Sequence, residues 1–192
     1  MRDPAGYNAP VRSFGPPSAR LLVVGLAPGR DGANHTGRPF TGDWAGDLLY
    51  ETLGLHGFAS GRYDERPDDG LALVDCMVTN AVRCVPPANK PMPAEIATCR
   101  EFLVERIVAM PDLRAVLALG RIAHDSVARA LGQRLVAVPF GHGRWHEVGL
   151  GGRPITLFDS YHCSRYNTNT GVLTTAMFRA VFADIRRFLD AG

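Results

Sequence analysis

The chain has 192 residues, which at roughly 100–200 residues per domain allows one domain and argues against two. Its 46% hydrophobic and 21% charged composition excludes a disordered chain. No stretch reaches the roughly 18 consecutive apolar residues of a membrane span, and the first twenty residues lack a secretory apolar run, so a cytoplasmic protein is expected. The 21 basic and 19 acidic residues leave a formal charge of +2, which neither demands nor forbids a polyanionic partner.

Of the basic residues only Lys90 is a lysine. Arginine grips phosphate in bidentate fashion where lysine does not, although genomic base composition explains the same bias.

Residues 1–19 hold Pro4, Pro10, Pro16 and Pro17 among glycines and serines and read as an irregular lead-in lying over a single domain at 20–192. The run Leu21-Leu22-Val23-Val24, closed by Gly25, has the continuous apolar character of a strand buried on both faces of a parallel sheet. The loop that follows, GLAPGRDGANHTGRPFTGD, is long, Gly-rich and polar. It lacks the ending of a Walker A loop and does not match G-x-G-x-x-G. It does carry one aromatic, Phe40, and a carboxylate, Asp43, directly before a helix near 44–55. Asp there is a natural N-cap, so its residue type alone leaves cap and catalyst both open.

A second apolar run covers 71–78 and leads into Thr79-Asn80. The Asn80 amide suits the edge of a nucleobase or, equally, a turn. Ile96, Cys99, Leu103, Ile107 and Met110 recur at three and four, with Pro93 suited to a first turn, which predicts a helix over 93–110 and puts Cys99 on its apolar face as a small buried hydrophobe.

A third strand is expected at 115–119. A helix over 121–131 should stop at Gly132, and a fourth strand lies at 155–158. The loop after it reads DSYHCSRYNTNTG and crowds His162, Ser164, Arg165, Tyr166 and Asn167 together, a mixture suited to a phosphate backbone and exposed bases. A strand-end His is also commonly a hydrogen-bonded structural residue. The last helix is expected over 172–189.

Alternating strands and helices imply a three-layer α/β/α domain around a four-stranded parallel sheet. Ligands bind such sheets beyond the carboxyl ends of the strands, which directs attention to the loops at Gly25, Thr79, Gly120 and Asp159.

Together, GLAPGRDGANHTGRPFTGD, TNAVRCVPPANKP and SYHCSRYNTNTG resemble the signature segments of the family 5 uracil-DNA glycosylases, a bacterial and archaeal branch of the uracil-DNA glycosylase superfamily. The resemblance runs in order from about residue 8 to the C-terminus. It implies a bacterial, monomeric DNA-repair hydrolase that flips a uracil, or another deaminated base, out of DNA and cuts its N-glycosidic bond, leaving an abasic site. On this resemblance Phe40 stacks on the base, Asp43 helps the attacking water and the sugar cation, and His162 contacts the uracil carbonyl. Ala27, Pro28, Gly29 and Asn80 complete the base pocket.

Arg30, His35, Arg38, Ser164, Arg165 and Asn167 are then candidates for contacts to the DNA backbone. Many members of the branch carry Ala where Asn80 stands, whereas family 4 enzymes use Asn in the corresponding string, which suggests sharper selection of uracil. Retention of Phe40, Asp43 and His162 together argues against a silent DNA-binding or iron–sulfur protein of the same fold. The missing phosphate-loop lysine argues against an enzyme of free nucleotides.

Four cysteines, Cys76, Cys84, Cys99 and Cys163, include no C-x-x-C pair, which disfavours a zinc ribbon. The resemblance implies a 4Fe–4S cluster held by four thiolates. Cys84 and Cys99 match the spacing of two ligands, while Cys76 and Cys163 fall elsewhere. Either the cluster is lost or the chain is a start-site truncation, and truncation is the expectation. Hydrolysis of the glycosidic bond itself needs no metal.

Overall fold

The computed structural model describes residues 7–87 and 90–191. Their elements are β1 (Leu21–Gly25), α1 (Ala33–Thr36), α2 (Trp44–Leu55), β2 (Ala59–Ser60), β3 (Ala72–Leu73), β4 (Cys76–Asn80), α3 (Pro93–Val108), β5 (Ala115–Leu119), α4 (Arg121–Ala130), β6 (Trp145–Leu150), β7 (Arg153–Ser160), α5 (Arg165–Asn169) and α6 (Thr175–Asp190). Among the described residues no helix is long and apolar enough to cross a membrane.

The main sheet has the order β4-β1-β5-β7-β6. Its first four strands are parallel, and β6 pairs antiparallel with β7. The expected four-stranded parallel sheet is therefore a five-stranded mixed one. The fifth strand escapes an apolar-run reading because Trp145–Leu150 is partly exposed along its length and mixes Trp, His and Glu among its apolar residues. A turn signal for it is present: Gly151 and Gly152 have φ of 60° and 82°, as a two-residue hairpin loop of the I′ type requires.

The run 71–78 is likewise split. Ala72–Leu73 pairs with Ala59–Ser60 in a separate two-stranded ribbon. Asp75, at φ 54°, then breaks the extended backbone, and its carboxylate accepts from the Arg20 backbone N–H and guanidinium.

Strand alternation divides the core between the two sheet faces. Leu21, Val23, Leu117 and Leu119 pack with Leu49 and Leu53 of α2 and Phe178, Phe182 and Ile185 of α6. Leu22, Val24, Val116 and Ala118 face the other way, onto Leu103 and Ile107 of α3 and Val127 of α4. The result is the expected three-layer arrangement.

The predicted helices begin or end within a few residues of those observed, with Thr174 capping α6 through its hydroxyl, which accepts from the Met177 N–H. Cys99 departs from its expected burial: α3 buries only Leu103 and Ile107 among its residues, and Cys99 is half-exposed.

The described part of the lead-in is irregular but anchored. The Phe14 N–H and C=O both bond Val78, Val11 donates to the Arg83 carbonyl, and Val11 and Ala19 are buried.

Candidate active site

At the carboxyl ends of β1 and β4 the strand ladder continues into the loops: Ala81 donates to the Gly25 carbonyl and Val82 to that of Leu26. This draws residues 26–29 alongside Asn80. A cavity of about 320 Å³ opens there, lined by Leu26, Ala27, Pro28, Gly29 and Ala33 on one side and by Phe40, Asp43, Ala45, Asn80 and His162 on the other. Its volume falls at the lower end of the range for small-molecule sites.

Phe40 sits in the left-handed region, at φ 52°, a conformation that persists only where the surroundings over-determine it. Here they do. The Tyr63 hydroxyl donates to the Phe40 carbonyl at 3.2 Å, and the Tyr50 hydroxyl donates to the Pro39 carbonyl at 2.5 Å. A Cβ on Gly46 would lie 1.8 Å from the Phe40 carbonyl oxygen, and one on Gly25 would lie 2.4 Å from the edge of the Phe40 ring. Both glycines leave the room that this turn occupies. The ring is buried and stacks with the His162 imidazole, centroids 6.0 Å apart.

Asp43 is the N-cap of α2. Its Oδ1 accepts from the Gly46 N–H at 3.1 Å, while Oδ2 faces the loop above: a Cβ on Gly32 would approach it to 2.9 Å and one on Gly29 to 3.6 Å. The two readings of this residue are therefore compatible, because one oxygen caps and the other stays at the cavity.

Asn80 ends β4, is buried, and its Oδ1 has no hydrogen-bond partner among the described residues. A buried amide oxygen left unpaired is costly, and the residue that carries it lines the cavity.

His162 follows β7, beside Gly120 at the end of β5. Burial pushes its imidazole toward the neutral form, against the pull of the Asp43 carboxylate. Asn167 holds it in place: its Nδ2 donates to the His162 carbonyl at 2.8 Å. Ser164 caps the one-turn helix α5 by accepting from the Asn167 N–H. Both residues, expected at the DNA backbone, thus have structural partners that set His162.

Arg165 is exposed and lies over the Trp44 ring at 5.6 Å, and the Trp44 indole donates to Thr168. This contact ties α5 to the start of α2. Arg30 is exposed beside Asp31, and His35 is exposed on α1.

Arg38 is not a DNA contact. It is buried and paired in bidentate fashion with Asp69 at 2.8 and 2.7 Å. Its Nε donates to Thr41, and its guanidinium lies 5.1–5.6 Å from the ring centres of Phe14, Tyr50 and Tyr63. The Arg38 hydrogen bonds, with help from the Asp64 and Leu71 N–H groups, hold the Asp69 carboxyl well below the usual range although burial acts the other way. Sequence reading missed this support under the Phe40 turn, because Asp69 lies 31 residues away. It also missed Leu26, Ala33 and Ala45 as lining.

The thiols do not assemble into a cluster site. Cys76 and Cys163 are fully buried in the core, where burial pushes their thiols up, and the Cys163 thiol donates to the Ala45 carbonyl. Cys84 is exposed; partial burial and the neighbouring Cys99 raise its thiol. Among the described residues no three His, Cys, Asp or Glu side chains converge. A 4Fe–4S cluster takes four thiolates, and these residues alone do not fit it.

A larger depression of about 980 Å³ lies at the amino ends of the strands and includes Arg20, Arg114 and Arg153. Those guanidiniums are engaged with carbonyls at helix ends: Arg20 and Arg114 with Leu189 of α6, and Arg153 with Ile107 of α3 and with Met110 just beyond it. They act as helix C-caps.

A family model described as the uracil DNA glycosylase superfamily matches residues 12–186. A type-5 uracil-DNA glycosylase of Thermus thermophilus is 45% identical over 181 residues, 94% of this chain and 81% of the relative. One from Pyrobaculum aerophilum is 39% identical over 186 residues, 97% of this chain and 78% of the relative. A type-4 uracil-DNA glycosylase of Archaeoglobus fulgidus is 30% identical over 153 residues, 79% of this chain and 69% of the relative. With a cavity at the expected strand ends and this similarity along nearly its whole length, the chain belongs to the uracil-DNA glycosylase superfamily and to its type-5 branch.

Proposed function

We propose that this protein hydrolyses the N-glycosidic bond of uracil in DNA, with the flipped base in the cavity between Phe40 and Asn80. The observation that carries the reading is the convergence on that cavity of a carboxylate, an amide with an unpartnered oxygen, an imidazole and an aromatic ring. Residues 20–192 act as one domain, and damaged DNA is the partner.

The base stacks on Phe40. The Asn80 amide reads its edge, its Oδ1 accepting from an N–H of the base. As the bond from C1′ to N1 breaks, its electron pair moves into the base and gathers on the exocyclic carbonyl oxygens, while positive charge builds on the deoxyribose. His162, pushed toward the neutral form by desolvation, donates a hydrogen bond from a ring N–H to the oxygen where negative charge collects. The free oxygen of Asp43 faces the sugar cation, orients a water toward C1′ and accepts its proton as the new C–O bond forms, as a carboxylate base does in glycoside hydrolysis. The departing base takes a proton from solvent.

Arg30, His35 and Arg165, exposed on the rim, contact the backbone of the strand. No step passes through a metal cluster; Cys84 and Cys99 are the thiols best exposed for one.

Selection of uracil by Asn80 is tested by comparing release of uracil and hypoxanthine from single-stranded oligonucleotides. Asn80→Ala should lower the uracil rate and shrink the preference over hypoxanthine by roughly tenfold or more, in line with the loss of a site's buried polar contact. An unchanged preference overturns the assignment.

A further inference from the structure

Beyond the cavity, the carboxyl edge of the sheet continues through β7 to the start of β6, where residues 138–144 form a loop with four attachments to two buried residues. His124 of α4 donates from Nε2 to the Val138 carbonyl at 2.7 Å, and its Nδ1 meets Asp159 Oδ1 at 2.7 Å. Asp159 Oδ2 accepts from the Gly141 N–H, its carbonyl accepts from Gly143, and its N–H donates to the Arg144 carbonyl. Both His124 and Asp159 are buried in the core.

These bonds anchor the Gly-His-Gly loop, which connects α4 to β6, at the edge of the sheet. What the loop presents is cationic and polar. His142 stacks on Tyr161 with centroids 4.9 Å apart, and its Nδ1 accepts from the Tyr161 N–H at 3.1 Å. That bond places the proton of the neutral ring on Nε2, and burial keeps the ring toward the neutral form. Arg121 lies over the Phe140 ring at 5.2 Å. The Arg144 side chain folds over Gly141, where a Cβ would come within 2.7 Å of its Cδ.

Arg121 and Arg144 are exposed, and among the described residues neither pairs with a carboxylate. Arg121 begins α4 directly after Gly120, whose Cβ position lies 3.4 Å from that of His162. With strands about 4.8 Å apart, the loop lies on the order of 5–15 Å from the cavity along the same edge.

We infer that residues 140–144, together with Arg121, form a second DNA-backbone contact, in which the Arg121 and Arg144 guanidiniums and the His142 Nε2–H engage phosphates on the strand that carries the flipped nucleotide. The inference rests on the glycosylase reading of the cavity. Guanidiniums held by an aromatic ring and a backbone fold lose less freedom on binding than free side chains do, and phosphate contacts fix the register of the strand without reading sequence.

The test is equilibrium binding of the full chain to a single-stranded oligonucleotide carrying 2′-fluoro-deoxyuridine, which resists cleavage, followed by fluorescence anisotropy over a salt series. The variants are Arg144→Ala and Arg121→Ala/Arg144→Ala. Arg129→Ala, at the far end of α4, serves as a control for loss of one charge. The double variant should bind roughly tenfold or more weakly, and its slope of log affinity against log salt should be shallower by about 1.4, near 0.7 for each single-strand phosphate lost. Arg144→Ala alone should give about half that change in slope and Arg129→Ala almost none.

If both loop variants match Arg129→Ala while the wild type binds DNA and releases uracil, the loop assignment falls and the reading of the cavity stands. A wild type that neither binds DNA nor releases uracil overturns both.

Discussion

A carboxylate has two oxygens, and at Asp43 each does something different. One is fixed on the Gly46 N–H at 3.1 Å, and the other faces the cavity. This is why residue type alone leaves cap and catalyst open, since a single Asp at a helix start satisfies both. The same logic covers Asn80, which terminates a strand, lines the cavity and has an unpartnered amide oxygen.

The positions of these residues are legible in the sequence, because Phe40, Asp43 and His162 follow, and Asn80 ends, strands that the apolar runs mark. Their partners are not. Arg38 reads as a surface phosphate contact until Asp69 is seen against it, and nothing local in either segment announces the pair. Its burial leads to a prediction: Arg38→Ala leaves the Asp69 carboxylate without its counter-charge in a dry site and should cost about 3–5 kcal/mol. Urea unfolding of the variant measures this, and a loss below about 1 kcal/mol, the scale of an exposed pair, would mean that the pair does not support the Phe40 turn.

The elements divide between those that apolar periodicity reveals and those it does not. Strands β1, β5 and β7 and helices α2, α4 and α6 bury whole faces, so their sequences carry the pattern. Strand β6 is partly exposed along its length and produces no continuous apolar run, and β3, two residues long, is hidden inside the run that also holds β4. The join between α4 and β7, where His124 meets Asp159, is equally silent in sequence because it is made by two residues 35 apart.

That join should show in the pH dependence of stability. Burial disfavours the His124 imidazolium most, yet the Asp159 hydrogen bond and charge and the Val138 carbonyl together outweigh it, so its pKa is raised on folding. A group raised on folding stabilises the fold fully below its unfolded value, near 6.5, and that contribution is lost as pH rises through the folded value. His56, His142 and His162 are lowered and work in the opposite sense, so the comparison must be between variants. The stability gap between wild type and His124→Asn should narrow as pH rises from below the unfolded value, about 6.5, through the raised folded value; a gap that stays constant or widens contradicts the assignment.

For the whole molecule, the carboxyl edge of one sheet carries a cavity near β4 and β1, the His162 loop after β7 and the anchored cationic loop before β6. A flipped base and its flanking phosphates would lie along a single line of strand ends. The opposite edge is occupied by arginines that close helix ends, which leaves stability and chemistry at opposite ends of the sheet.

Whether Asp43 drives uracil release from this cavity is decided by single-turnover release of uracil from a labelled oligonucleotide by the wild type and Asp43→Asn, read as alkali-sensitive strand breaks. Asn caps helices as well as Asp does, so the variant should keep its melting temperature and its DNA affinity while losing roughly 100-fold or more in rate, the scale of a lost general base. Wild-type rates from a folded Asp43→Asn protein would refute this role for the carboxylate.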